Sequence, residues 1–180
     1  EDWEGVQTTG MSDNNRIPRF IPVNADFLEF IGWFIAEGCV HSQTIELAFH
    51  KKELEHAISI TNYLKSITGQ SGTIAEICEN GISLRVSNKL FSNFLENFIP
   101  KYSENKKIPD LLYNLPKEKV FFILKTYFEG DGCIQEQYSR LSCTSTSLGL
   151  LQQIKDLLLE FGIVGSLRKH TDAKENIQNA

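Results

Sequence analysis

Phe30-Ile31-Gly32-Trp33-Phe34-Ile35-Ala36-Glu37-Gly38-Cys39-Val40 decides the reading of this chain, because it recurs. Its second copy is Leu124-Lys125-Thr126-Tyr127-Phe128-Glu129-Gly130-Asp131-Gly132-Cys133-Ile134. Glu37 and Asp131 stand 94 positions apart. At that offset aromatic falls on aromatic, small on small, acid on acid and Gly-Cys on Gly-Cys. Phe27 falls on Phe121, Ile60 on Ile154 and Leu64 on Leu158. Further on the offset slips by one, so that Gly69 meets Gly162 and Gly72 meets Gly165. A self-similar period of this length marks two copies of one supersecondary unit.

One unit is predicted as helix, hairpin, helix, hairpin, helix. The first helix runs from about Ala25 to Glu37, with Asn24 as its N-cap and Gly38 as its stop. Strands follow at Cys39–Gln43 and Thr44–His50. In the second, Ile45, Leu47 and Phe49 alternate with Thr44, Glu46, Ala48 and His50. A helix from about Lys52 to Ile67 presents Leu54, Ala57, Ile58, Ile60, Tyr63, Leu64 and Ile67 as its apolar face. Thr73–Cys78 and Ile82–Ser87 read as a hairpin around an Asn80-Gly81 turn. A helix from Lys89 to Phe98 closes the unit.

The second unit predicts a helix at Lys117–Gly130, strands near Cys133–Gln137 and Arg140–Thr144, a helix at Ser147–Phe161 and a strand near Ser166–His170. Residue 180 falls on Val86, so the second repeat is expected to be incomplete at its C-terminal end. Residues 1–22 read as a loosely ordered leader, with Ile17 to Val23 as a packed extended stretch. Residues 23–99 form the first repeat, 100–116 a linker and 117–180 the second repeat. The fold class is α+β: a tandem αββαββ(α) repeat of two pseudo-symmetric halves with antiparallel sheets.

The ends of the repeated helices are chemically odd. Glu37 and Asp131 each occupy a last helical turn, where the macrodipole is negative and a cation is the usual occupant. The same helices carry small residues four apart, Gly32 with Ala36 and Thr126 with Gly130, which permit close backbone approach. Packed by that face and in parallel, the helices bring both carboxylates to one end. Two carboxylates and free helix-end carbonyls make an all-oxygen site suited to a hard cation such as Mg²⁺. Such sites serve phosphodiester cleavage. Solvated helix-end acids and plain tight packing are the alternatives.

Charge works against a general nucleic-acid binder. The chain has 18 Lys+Arg against 23 Asp+Glu, a net charge of −5, whereas phosphate binding rests on basic surplus. Between Cys39 and Lys89 five bases (Lys51, Lys52, Lys65, Arg85, Lys89) meet five acids (Glu46, Glu53, Glu55, Glu76, Glu79). Binding to DNA is therefore expected to be weak and strongly salt-dependent. No apolar run approaches membrane-spanning length, and no secretory signal opens the chain. An intracellular protein is expected. Cys39, Cys78, Cys133 and Cys143 form no C-x-x-C pair and are expected to be buried reduced thiols.

Phe30–Gly38 and Leu124–Gly132 resemble the two motifs of a monomeric LAGLIDADG (dodecapeptide) homing endonuclease. Gly32, Ala36, Glu37 and Gly38 match the first motif; Gly130, Asp131 and Gly132 match the second. The resemblance covers about Phe20 to His170. It implies a site-specific endonuclease that cuts double-stranded DNA with Mg²⁺ or Mn²⁺, works as a monomer and recognises a long pseudo-palindromic or asymmetric target. A nuclease-dead relative acting as a maturase or regulator is the alternative; a non-catalytic interaction protein is a third reading.

Carried across, Glu37 and Asp131 are metal ligands, with the carbonyls of Ala36 and Gly130 as further ligands. A catalytic basic residue near the scissile phosphate is placed first at Lys51, then at Lys89 or Lys169. Base readout is assigned to strand residues His41, Gln43, His50, Ser83, Arg85, Gln135, Gln137, Arg140, Arg168 and His170, because a β-ribbon fits the major groove. The family occurs in introns and inteins. The closing Gln178-Asn179-Ala180 lacks an intein junction, so self-splicing by this chain alone is not expected.

Overall fold

The computed structural model describes residues 5–7, 16–135, 137 and 140–169. A short hairpin, β1 (Gly5–Gln7) with β2 (Arg16–Pro18), precedes α1 (Ala25–Glu37). The first repeat continues with β3 (Gly38–His41), β4 (Thr44–His50), α2 (Leu54–Thr68), β5 (Thr73–Cys78), β6 (Gly81–Ser87) and α3 (Lys89–Phe98). A short α4 (Asp110–Tyr113) leads to α5 (Lys117–Asp131), β7 (Gly132–Gln135), β8 (Arg140–Cys143) and α6 (Leu148–Glu160). The first repeat forms a four-stranded antiparallel sheet in the order β3-β4-β6-β5, and β7 and β8 form a two-stranded antiparallel sheet. The α+β repeat architecture is thus present.

α1 is the central element. The Asn24 side chain accepts the Phe27 backbone N–H at 3.0 Å and starts the helix. Phe27, Leu28 and every residue from Phe30 to Ile35 are buried. Six consecutive buried residues leave that part of the helix no solvent face, as in a core element. One side meets the sheet through Ile45, Leu47 and Phe49, the inward set of β4; each is buried. Another meets α5, where Ile123 and Thr126, both buried, lie against Gly32. Each large apolar side chain among these contributes ~1.5–3 kcal/mol.

The α1–α5 pairing is parallel. Lys119 Nζ donates to the Val23 carbonyl at 3.2 Å, and Lys125 Nζ to Glu29 at 3.1 Å. Thr126 Oγ1 donates across the interface to the Glu29 carbonyl at 2.9 Å. Gly32 needs its bare Cα, since a Cβ there would lie 2.0 Å from Thr126 Oγ1 and 2.4 Å from the Ile123 carbonyl oxygen. A Cβ on Gly130 would lie 2.8 Å from that of Ala36. Both small-residue pairs therefore stand in the helix seam.

The repeat also shows in its helix ends. Gly69 ends α2 at φ 71°, and Gly162, just after α6, has φ 76°. Only glycine adopts this left-handed geometry without strain. Gly69→Ala is expected to cost about 1 kcal/mol, seen as a fall of ~2–4 °C in Tm. An unchanged Tm would show that the cap is dispensable.

Several expectations are corrected. Leu54 and Ile58 are 44% and 45% exposed, because α2 lays only the stripe Ala57, Ile60, Leu64, Ile67 on the core. Phe121 is 48% exposed where Phe27 is buried. Phe27 has Phe98 of α3 beside it, at 6.4 Å between ring centroids. The hairpin turn expected at Asn80-Gly81 sits one residue earlier, because a bulge between Glu76 and Cys78 brings Gly81 into β6 opposite Cys78.

Residues 163–169 form no strand. Their counterpart β5 reaches its sheet only through β6, and the positions matching β6 fall within 170–180, outside the described residues. The four thiols are free, but Cys39, Cys78 and Cys133 are exposed and Cys143 half-buried. Cys39 and Cys133 lie on hairpins, opposite Glu46 and Ser142. Ile17, Ile21 and Val23 pack against the core as an extended lead-in.

Candidate active site

The parallel helices end together. Glu37 is the last residue of α1 and Asp131 the last of α5, and each chain turns at glycine into a hairpin. Gly38 and Gly132 donate their N–H groups to the carbonyls of Phe34 and Phe128. Glu37 and Asp131 are both half-buried. Burial raises the pKa of each above the ordinary carboxylate value, and the Asp131 charge, then that of Glu53, raises Glu37 further. Two partly desolvated acids sharing a helix-end field form an electrostatically costly pair that a cation relieves.

One cation is already there. Lys106 reaches in from the segment between the repeats and donates from Nζ to the carbonyls of Ile35 and Gly38, each at 2.9 Å. It thereby supplies the positive charge that the last turn of α1 lacks in its own sequence. It lowers the pKa of both acids, against the larger effect of burial. Its own pKa is pulled down by burial and pushed back up by Asp131, Cys39 and Glu37.

The segment that carries Lys106 is held in place. Ser147, the N-cap of α6, donates its hydroxyl to the Lys106 carbonyl at 2.7 Å. Gln153 accepts from the Ile108 N–H at 2.8 Å and donates to the Ile108 carbonyl at 2.9 Å. Ile108 and Leu112 are buried. Residues 100–116 are thus a packed strap. Lys106→Met is expected to cost about 2 kcal/mol, the scale of hydrogen bonds to a charged group, and to lower Tm by ~4–8 °C. A thermal melt within 1 °C of wild type, a deliberately rough threshold, would show that the ammonium does not stabilise the helix end.

Tyr127 completes the surroundings. Its hydroxyl is buried close to Asp131 and Cys143, and burial, with the charges of those two groups, holds its pKa well above the ordinary value. Among the described residues no cluster of three His, Cys, Asp or Glu side chains could hold a metal. The two carboxylates and the helix-end carbonyls are the oxygen donors at hand. That set suits Mg²⁺, which is commonly held by one or two carboxylates and keeps its remaining places for water and substrate phosphate.

Among the three lysines proposed as the basic residue, Lys51 pairs with Glu76 at 3.0 Å. Lys89 opens α3, and Lys169 is exposed outside regular structure. Lys106, which acts on both acids, has no motif around it and stands in the polar stretch Ser103-Glu104-Asn105-Lys106-Lys107.

The readout candidates are spread over the first sheet, its turns and the second hairpin. His41 ends β3 and Gln43 lies in the two-residue turn after it, where Ser42 and Gln43 both take positive φ. The His50 ring accepts the Lys52 N–H at 3.1 Å and caps the turn at Lys51–Glu53. Arg85 is exposed and bonded to Glu46, whereas Ser83 is covered, 1% exposed, beneath the same carboxylate. Gln135 and Arg140 face each other at the tip of the second hairpin, Gln137 is exposed beside them, and Arg168 is exposed outside regular structure. His170 lies outside the described residues.

Paired parallel helices that end in a shared acidic centre, each running on into a hairpin, form a LAGLIDADG-type fold. The chain matches the model of the LAGLIDADG-like domain over residues 118–179. Its fold is that of the homing endonuclease I-DmoI, as seen in a complex with target DNA in the presence of manganese. The TM-score is 0.62 and the sequence identity 13%, over 83% of this chain and 82% of that one.

In sequence, the chain is 33% identical over 159 residues to the DNA polymerase II large subunit of Thermococcus kodakarensis, covering 85% of this chain and 9% of that protein. It is 27% identical over 161 residues to the ATP-dependent DNA helicase Hel308 of the same organism. It is 25% identical over 158 residues to the glutamine–fructose-6-phosphate aminotransferase of Methanocaldococcus jannaschii. These two cover 86% of the chain and 14% of each relative. The chain thus spans a small part of the curated relatives it matches. No described helix is long and apolar enough to cross a membrane.

Proposed function

We propose that this chain is a site-specific endonuclease module that cuts double-stranded DNA with a divalent cation held by Glu37 and Asp131. The observation that carries this reading is the convergence of two half-buried carboxylates, each raised in pKa by burial, at the shared end of two parallel helices. Ala36 and Gly130, at the close approach of those helices, offer backbone carbonyls as further ligands. A bound Mg²⁺ or Mn²⁺ supplies charge neutralisation and a water acidified for attack. The chain's own part is to hold two oxygen donors in a fixed pair, to keep Lys106 beside them as a positive charge, and to present an outer sheet face to the groove.

Both halves of the centre come from one chain, so the module works as a monomer. Similarity to one segment of a polymerase, a helicase and an aminotransferase supports a module inserted into longer host proteins. The test is incubation with a randomised duplex library at low salt, with Mg²⁺ or with chelator. Defined cuts only with metal support the reading. Folded protein that retains particular duplexes without cutting them would make it a DNA-binding relative without nuclease activity.

A further inference from the structure

We infer that Glu46 and Arg85 act together as a reader of one G·C base pair; this rests on the DNA-binding reading above. The two residues are directly opposed on β4 and β6. Their register continues to Cys39 on β3 and Thr73 on β5, which makes one outward row across the sheet. The row starts at Cys39, two residues past Glu37, so it belongs to the part of the face beside the acidic centre. Of its two neighbouring outward rows, Ala48, Ser83 and Ala75 has two methyl groups and a covered hydroxyl, and in His41, Thr44 and Ser87 the last two hydroxyls bond each other at 2.9 Å.

The bonding pattern leaves this pair half satisfied. Glu46 Oε1 takes three bonds: from Ser83 Oγ at 2.8 Å, Arg85 Nε at 2.9 Å and Arg85 Nη2 at 2.7 Å. No bond within the described residues goes to Oε2. Those bonds to Arg85 and Ser83 hold Glu46 below the ordinary carboxylate range, so it is ionised and accepts only. Arg85 keeps Nη1 and is 54% exposed along its side chain, against 29% for Glu46.

An exposed ion pair contributes little to stability, and a carboxylate on a DNA-facing sheet repels phosphate. As a base reader, however, its parts fit. The free carboxylate oxygen accepts from cytosine N4, and the remaining guanidinium donors reach guanine O6 and N7 of the same pair. Because Glu46 pins the guanidinium, Arg85 is aimed before binding and loses less freedom on contact.

The test uses the full chain, with Glu46→Gln and Arg85→Ala beside it, in selection of bound duplexes from a randomised library. The wild type is expected to enrich G·C at one position. Both variants are expected to lose that preference by about ten-fold or more, with the other positions unchanged and with circular dichroism matching wild type. A preference that survives in either variant overturns the inference. So does a uniform loss at every position, which would mean a merely structural pair. Folded wild type that retains no duplex overturns both this inference and the DNA-binding reading, whereas the first two results leave DNA binding standing.

Discussion

Asp131→Asn is expected to lower metal-dependent cleavage by ~10²-fold or more, since a bound metal is worth several kcal/mol to such a reaction. The same variant is expected to melt at a higher temperature at neutral pH. Both effects come from one source. Burial raises the pKa of Glu37 and of Asp131 in the folded state from reference values of 4.5 and 3.8. A raised folded pKa means that the folded form holds the proton more tightly than the unfolded chain does. The resulting stability is fully present below the unfolded pKa values and is lost as pH rises through the folded ones.

The wild type therefore loses stability, relative to Asp131→Asn, as pH climbs from about 4 towards neutrality. The asparagine removes one titrating group and relieves Glu37 of its nearest acidic partner. Melting curves over that pH range, without metal, check the second effect. A time course of duplex cleavage with Mg²⁺ checks the first. Cleavage at the wild-type rate would remove Asp131 from the proposed chemistry, and parallel pH profiles would show that the acid pair carries no strain.

Gly32→Ala should cost the most stability of any single methyl group added in the helix seam. The new Cβ would stand 2.0 Å from Thr126 Oγ1 and 2.4 Å from a backbone oxygen. The first neighbour is a side chain, but it is buried and bonded to Glu29 and Phe122. The second belongs to α5 itself, so the helices must separate. Overpacking of this kind costs about 3 kcal/mol, a fall of ~6–12 °C in Tm for a chain of this size. Gly130→Ala meets Ala36 Cβ at 2.8 Å and should cost less, because a methyl rather than backbone is in the way. A Gly32→Ala protein that melts like wild type would mean that the seam is looser than these distances.

The parts of this architecture legible from the residues were those with a local cause. The duplicated helix end, with its acid, its glycine and its small residues four apart, announced the seam and its direction. Alternation in Thr44–His50 located the inward face of β4, and the glycine after α2 located its stop. What escaped was set by partners remote in sequence. Lys106 lies in a stretch without periodicity, and nothing around it points to the end of α1. Glu46 counted only as an opposing charge, since its hold on Arg85 follows from strand register. Leu54 and Ile58 were assigned inward by their helical spacing, and Phe121 was matched to the buried Phe27 by the repeat alone. Their exposure depends on which elements cover each face, which the pattern of one helix does not encode.

The strap through Lys106 also has a bearing on how the chain folds. The ammonium that completes the last turn of α1 belongs to a residue 71 positions away from Ile35, its carbonyl partner. A cap from a sequence neighbour forms with the helix itself, but this one waits for a long loop to close, at an entropic cost that grows with its length. Its backbone carbonyl in turn receives the hydroxyl that starts α6. Non-local closures of this sort slow folding. The acidic centre is therefore complete only when a contact spanning 71 positions has closed.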